Sequence, residues 1–361
     1  MPDCNHNGSI DSRDIRVPHF EHAIELLNGI QPFQNNVWDV CPIDFNGDGR
    51  MDLALAVFTG TNVGSIALWR NDGGPGLVFH SEITFNEQRP TILKSADLNG
   101  DLLPDLIAAD SSFNQVYVLL ATGPGTFAPP VILACDPSNN GSVGLAVGDL
   151  DNDGDQDIVC TSWGTNKVNI FLNNGNGSFA PRATYPTDQQ PRDVAIGDFT
   201  GDGFADLAIA NQNYYGTGNG SVSLLRNNRN GTFTPHATLT MPSGGPPYAY
   251  QAHPFYVELA DIDHDGDRDL ITSSTGSNVL SIHLNDGQGG FTPGQTFGGL
   301  WLESSAGDVL VKDLDGDGWA DIAWGDTDQH ITGVLTLGDG DDPEAVRQIH
   351  GKVLRGVHRE I

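Results

Sequence analysis

Short, β-branched apolar runs separated by Gly-, Asn- and Asp-rich turns dominate the chain. In one segment Val143–Val147 leads into an acidic loop, Asp157–Thr161 leaves it and Lys167–Leu172 follows. The turn Asn173-Asn-Gly-Asn-Gly then precedes a fourth run, Phe179–Tyr185. Asn-Gly and Gly-rich turns between such runs are hairpin signals. The same ending recurs as Asn227-Asn-Arg-Asn-Gly-Thr-Phe233 and Asn285-Asp-Gly-Gln-Gly-Gly-Phe291. Four strands in about 50 residues, repeated, form the pattern of a propeller blade. The expected fold class is all-β, a β-propeller of four-stranded blades.

The acidic loop is the most regular part of the repeat. It occurs six times, with ligand-type positions at Asp44, Asn46, Asp48, Arg50 and Asp52; Asp97, Asn99, Asp101, Leu103 and Asp105; and Asp149, Asp151, Asp153, Asp155 and Asp157. It returns at Asp198, Thr200, Asp202, Phe204 and Asp206; Asp261, Asp263, Asp265, Asp267 and Asp269; and Asp313, Asp315, Asp317, Trp319 and Asp321. First residues are spaced by 53, 52, 49, 63 and 52, the long interval carrying an insertion rich in Gly, Pro and Tyr. Side-chain oxygens stand at positions one, three, five and nine, and position seven offers its backbone carbonyl whatever its side chain. Hard cations such as Ca²⁺ take six to eight oxygen ligands, so this spacing suits calcium. Gly at position six lets the loop turn inward at positive φ. In the second loop Leu102 takes that place, at a strain of about 1–2 kcal/mol. One cation per well-formed loop, at least five in all, is the expectation.

Charge adds to this picture. The formal net charge is −30, from 47 Asp plus Glu against 17 Lys plus Arg, and roughly half of the acids lie in the six loops. Carboxylates packed into one turn repel each other unless a cation sits among them. A chain this acidic repels nucleic-acid phosphates, which excludes nucleic acid as a partner class. No apolar stretch reaches 18 residues, so direct membrane insertion through a helix is not expected. The start, Met1-Pro-Asp-Cys-Asn5, lacks a basic region and an apolar run, as expected for a mature form or a fragment. Four scattered cysteines make no disulfide framework, and no Cys-x-x-Cys suggests zinc.

The loop Asp44-Phe-Asn-Gly-Asp-Gly-Arg-Met-Asp52-Leu and the Asn-x-x-x-Gly-x-Phe hairpin resemble the FG-GAP / VCBS repeat family, over about residues 37–350. The resemblance implies an integrin-α-like propeller holding calcium in β-hairpin loops. Family propellers usually have seven blades, whereas six loops are visible here, and the tail Lys352–Ile361 is too short for another blade. Six blades, or a seventh that is incomplete, both fit. The chain divides into a leader, 1–30, and the propeller, 31–361. In the leader Asp3, Asn5, Asn7, Asp11 and Asp14 occupy positions 1, 3, 5, 9 and 12 of an EF-hand pattern, with Gly8 at position 6. A short helix over Phe20–Leu27 is expected to follow, like half of a dockerin-type module.

Propeller topology places the Asp loops on one face and the other connections on the opposite face. There the sequence puts Trp163, Tyr214, Tyr215, Tyr248, Tyr250, His253 and Trp301 as candidate ligand contacts. Arg89, Arg192, Glu303, Asp326 and His330 belong to the same face. Aromatic rings with polar neighbours suit carbohydrate. The functional expectation is an extracellular or cell-surface adhesion or carbohydrate-binding module, with calcium and a glycan or extracellular protein as partners. The alternatives are a polysaccharide lyase or sugar dehydratase on the same propeller, or a passive spacer in a larger surface protein. No Gly-x-Ser-x-Gly, His-Glu-x-x-His or phosphate loop is present.

Overall fold

The computed structural model describes residues 37–335, apart from 59–63, 75, 86–87, 136–140, 142–143, 217, 243–250, 277–278, 299–305, 315–317 and 327–332. The EF-hand-like leader and its expected helix lie outside the described residues, as does the tail. Among the described residues there is no helix; every regular element is a strand.

Blade one is β1 (Val37–Ile43), β2 (Asp52–Phe58), β3 (Gly64–Arg70) and β4 (Val78–Phe85), paired in that order. Blade two is β5 (Pro90–Ala96), β6 (Asp105–Asp110), β7 (Gln115–Leu119) and β10 (Val131–Ala134). Its small hairpin β8 (Ala121–Gly123) and β9 (Thr126–Phe127) intervenes. Blade three is β11 (Leu145–Gly148), β12 (Asp157–Ser162), β13 (Lys167–Phe171) and β14 (Ala183–Pro186). Blade four is β15 (Pro191–Gly197), β16 (Asp206–Asn211), β17 (Ser221–Asn227) and β18 (Phe233–Thr240). Blade five is β19 (Ala252–Ala260), β20 (Asp269–Gly276), β21 (Val279–Leu284) and β22 (Thr292–Gly298). A sixth sheet holds β23 (Ala306–Lys312), β24 (Asp321–Asp326) and β25 (Gly333–Leu335). All pairings are antiparallel.

Burial follows position in the blade. The second strands β6, β12 and β16 are buried at every residue, because a neighbouring blade covers each of their faces. Outer strands such as β4 and β18 are largely exposed or alternate. The apolar core lies between blades rather than within one. Ala54, Ile66 and Leu68 of blade one pack with Leu93, Leu106 and Tyr117 of blade two, and clusters of the same kind join each later pair. Five of the six first strands carry a register shift near their start, three of them just after Pro90, Pro191 and Pro254. Each proline stands just before the bulged residue, Thr91, Arg192 or Phe255, near the start of its strand, where a missing N–H costs the ladder little. Two first strands carry an aspartate at this shift that reaches the next blade: Asp39 accepts the Leu93 N–H at 2.7 Å and Asp193 the Val257 N–H at 3.0 Å.

Of the four cysteines, Cys135 and Cys160 form a disulfide between the end of blade two and β12 of blade three, while Cys41 is a buried free thiol.

Candidate metal centres and the opposite aromatic face

Each Asp loop joins the first and second strands of its blade, so all six open on one end of the propeller. The hairpins between third and fourth strands open on the same end. The sixth position adopts positive φ in every described loop: Gly49 at 82°, Leu102 at 66°, Gly154 at 94°, Gly203 at 86°, Gly266 at 96° and Gly318 at 94°. The strain expected at Leu102 is therefore present. Position four also turns left-handed, at Gly47, Gly100, Asn152, Gly201 and His264. Gly, Asn and His there were the sequence signal for this second turn, which the ligand pattern alone did not capture.

Two aspartates per loop bind the backbone. In all six loops the first aspartate accepts the N–H of position six through Oδ2, as between Asp44 and Gly49 at 2.8 Å. The ninth aspartate is fully buried at Asp52, Asp105, Asp157, Asp206, Asp269 and Asp321. In loop three, Asp157 Oδ2 accepts the Leu150 N–H at 2.8 Å and Oδ1 accepts the Asn173 N–H at 2.7 Å. Asp206 and Asp269 repeat this with Asn227 and Asn285. Burial pushes the Asp157 carboxyl up to about 7 and Asp269 up to about 6 against the pull of these amides. The ninth position thus ties the loop to its own hairpin.

The hairpin asparagine does more. Asn173 Nδ2 donates to Leu98 O of the preceding blade's loop at 2.8 Å and to Gln156 O of its own at 3.1 Å. Asn227 bridges Leu150 O and Ala205 O, and Asn285 bridges Phe199 O and Arg268 O. Loops also touch directly, through Asn152 Nδ2 on Gly203 O at 3.0 Å and through the stacked rings of His264 and Trp319, 4.0 Å apart.

Convergent oxygens form in two loops. One carboxylate oxygen from each of Asp149, Asp151 and Asp153 lies within 4.8 Å of the others, and Asp261, Asp263 and Asp265 repeat the arrangement. Oδ1 of Asp149, Asp151, Asp261 and Asp263 is buried without a hydrogen-bond partner. Like charges at this range repel by roughly 3 kcal/mol per pair at an effective dielectric near 20. Burial, and then the neighbouring Asp153 and Asp265, raise the carboxyls of Asp151 and Asp263. Orphaned buried oxygens on an all-oxygen donor set fit a hard cation. Asp157 and Asp269 are not part of these groups.

The other loops differ. In loop one Asp44 Oδ1 accepts the Gly47 N–H and Asn46 Oδ1 accepts the Asp48 N–H. In loop two Asp97 Oδ1 accepts the Gly100 N–H, while Asn99 donates to Asp101 at 3.0 Å. In loop four the Thr200 hydroxyl donates to Asp206 at 3.0 Å instead of standing free as an oxygen ligand. In loop six Asp313, Trp319 and Asp321 are described, and Asp315 and Asp317 lie outside the described residues. Position-seven residues Arg50, Leu103, Asp155, Phe204 and Asp267 offer only a carbonyl in the expected pattern.

The opposite end carries an aromatic ladder across blades three to five. Trp163 follows β12, Tyr214 and Tyr215 follow β16, and His253 stands in β19. Ring centroids are 5.7 Å apart for Trp163–Tyr215, 5.4 Å for Tyr215–Tyr214 and 5.8 Å for Tyr214–His253. Tyr214 is 58% and Tyr215 76% exposed. Gln190 Oε1 accepts the Tyr215 N–H, and His253 Nδ1 bonds Gln212 O at 2.7 Å, which fixes the two ends of the Tyr214–Tyr215 loop. Arg89 and Arg192 lie over the rings of Phe58 and Phe255. Tyr248, Tyr250, Trp301, Glu303 and His330 lie outside the described residues.

Known proteins place this architecture. A rat (Rattus norvegicus) T-cell immunomodulatory protein is 26% identical over 210 residues, 54% of this chain but only 32% of that protein, so the chain spans about a third of its curated relative. A lectin of Agrocybe aegerita, whose structure concerns recognition of non-reducing terminal N-acetylglucosamine, matches with a TM-score of 0.58 at 22% identity, over 83% of this chain and 77% of that one. A Lactobacillus plantarum protein matches with a TM-score of 0.65 at 15% identity, over 89% and 84%. The FG-GAP-like repeat profile matches at residues 44–101, 97–160, 150–209, 211–272 and 261–324. Each match contains at least one of the Asp loops described above, and the chain belongs to the FG-GAP-like repeat family.

Proposed function

We propose that this protein is an extracellular, calcium-stabilised propeller that binds carbohydrate through the aromatic ladder opposite its Asp loops. The observation that carries the binding reading is the Trp163–Tyr215–Tyr214–His253 ladder, in which Tyr214 and Tyr215 are exposed and Trp163 and His253 half-buried. An edge-to-face contact covers at most one face of one ring of the pair, and the apolar C–H face of a pyranose stacks on the faces left open. Tyr and Trp give large contact area at a small entropy cost. Asn213 and Gln190 beside the ladder offer amides for sugar hydroxyls. The recognition of non-reducing terminal N-acetylglucosamine by the Agrocybe aegerita lectin is consistent with this class of ligand. Calcium supplies charge neutralisation to the clusters of loops three and five. Affinities of the extracellular class, roughly 10⁻⁴–10⁻³ M, and the Cys135–Cys160 disulfide both suit an oxidising, calcium-rich compartment.

The test is a glycan array followed by calorimetric titration with the best binder, in saturating calcium. Wild type is expected to bind, and Trp163→Ala and Tyr215→Ala to lose at least tenfold in affinity. Equal binding by wild type and both variants would remove the ladder as the site.

A further inference from the structure

The Asp loops share one backbone path but not one way of balancing charge. In loop four the side chain of Asp202 is only 8% exposed and receives Arg226 Nη2 at 3.0 Å and Arg229 Nε at 3.4 Å. The Arg229 guanidinium also sits 5.9 Å from the ring centre of Phe204, the loop's seventh residue. In loop one the seventh residue is itself Arg50, which pairs with Asp48 and donates to Asn71 O at 2.9 Å. Both arginine-bearing loops also spend the second oxygen of their first aspartate on loop amides, Asp44 on Gly47 and Asp198 on Asp202.

Among the described residues no arginine pairs with a carboxylate of loop three or loop five, although Arg268 is the eighth residue of loop five. The hairpin asparagines Asn173, Asn227 and Asn285 occupy equivalent places, each donating its N–H to the ninth aspartate. The residue before Asn227 is Arg226, and two after it stands Arg229; around Asn173 those places hold Leu172 and Gly175, and around Asn285 they hold Leu284 and Gly287. The seventh residues Asp155 and Asp267 lie against Gly175 and Gly287 so closely that a Cβ would overlap them. A fifth carboxylate therefore stands where loop four has its cation. These loops also hold four of the five buried carboxylate oxygens that lack a partner among the described residues; the fifth, Oδ2 of Asp52, belongs to the ninth position of loop one and so to the tie with its hairpin.

We propose that the loops of blades one and four are neutralised by their own arginines and take up no calcium, so that the propeller carries self-neutralised and cation-requiring loops side by side. This rests on the calcium reading above. A cation entering loop four would have to displace two guanidinium groups from a nearly buried carboxylate, and Thr200 would offer it a neutral hydroxyl where loops three and five offer a carboxylate. Blades three and five bracket the Tyr214–Tyr215 pair of blade four, so the cation-requiring loops stand behind the aromatic ladder while blade four keeps its shape unaided.

The experiment counts bound calcium by equilibrium dialysis and elemental analysis on the full chain, with folding checked by circular dichroism. Wild type is expected to hold at most four ions. The double variant Arg226→Gln/Arg229→Gln is expected to gain one ion, and so is Arg50→Gln. Asp155→Arg, which copies the arginine of loop one into loop three, is expected to lose one. Five or six ions of similar midpoint in wild type, or arginine variants with an unchanged count, overturn the proposal. If no variant binds calcium, the calcium reading itself falls, and melting in chelator at low salt decides the remainder. There Arg226→Gln/Arg229→Gln must melt lower than wild type and be rescued by Asp202→Asn; no drop overturns self-neutralisation.

Discussion

The two ends of the propeller are built from opposite materials. On the Asp end, apart from the unpartnered oxygens of loops three and five, side chains bind backbone: first and ninth aspartates accept amides, hairpin asparagines bridge carbonyls, and neighbouring loops touch. On the other end Tyr214 and Tyr215 make ring contacts but bury little. Satisfied polar networks hold a fold together, and unspent aromatic area is what a partner can use. On the function proposed here, stability belongs to one end and recognition to the other.

Chelation is the strongest way to break that contrast. Metal bound only to the folded state stabilises it by about 2.7 kcal/mol per site at a hundredfold excess over Kd. Loops three and five together predict a loss of about 5 kcal/mol in excess chelator, visible as a large fall in melting temperature. Superimposable melting curves with calcium and with chelator would end this reading.

Next in size is the asparagine bridge. Asn227→Ala leaves the carbonyls of Leu150 and Ala205 unpaired, and each such buried group costs about 1–3 kcal/mol. Urea denaturation is expected to show a loss of about 2–3 kcal/mol with ligand affinity unchanged. Tyr215→Ala should do the reverse, moving stability by less than about 0.5 kcal/mol while binding falls. Asp153→Ala belongs with Asn227→Ala, weakening calcium at loop three and the stability of blade three. If it abolished binding in a folded protein, the division between the ends would collapse.

pH separates the ends further. The folded-state carboxyls of Asp157 and Asp269 titrate above their ordinary value, at about 7 and about 6. A raised carboxyl contributes stability below its unfolded value, near 4, and loses it as pH climbs through the folded value. In chelator, stability is expected to fall between pH 4 and 7. With calcium the slope should reverse, because protons then compete with the cation. A falling slope in both conditions would show that no cation relieves the loops.

The smallest expected effect is a gain. Leu102 holds φ 66° at 89% exposure, so Leu102→Gly removes strain at little loss of contact and should stabilise by about 1 kcal/mol. It should leave ligand binding untouched.

Much of this was legible in the sequence, and the part that was not has a physical reason. The blade repeat and its loops were visible because Asp at one, five and nine recurs with a near-constant spacing, and Trp163, Tyr214, Tyr215 and His253 could be placed on one face from topology alone. The loops were read as equivalent, however. A carboxylate that ligates a cation and one that accepts an amide look alike in a sequence, so the amide-bound role of Asp157 was hidden. Arg226 and Arg229 stand 24 and 27 residues beyond Asp202, and only the return of the hairpin to the loop brings them together.

The asparagine bridges also point one way. Gly125 of blade two bonds Phe45 O of blade one, Asn173 of blade three reaches back to Leu98, Asn227 to Leu150 and Asn285 to Phe199. Through these four bonds the hairpin of each later blade completes the loop of the blade made before it. During synthesis, N-terminal segments emerge first. A blade leaving the ribosome finds its acceptor carbonyl already in place, so the ring can grow by ordered addition, and a chain stopped after blade four would leave Phe199 O without the donor that Asn285 brings and Asp193 without the Val257 N–H.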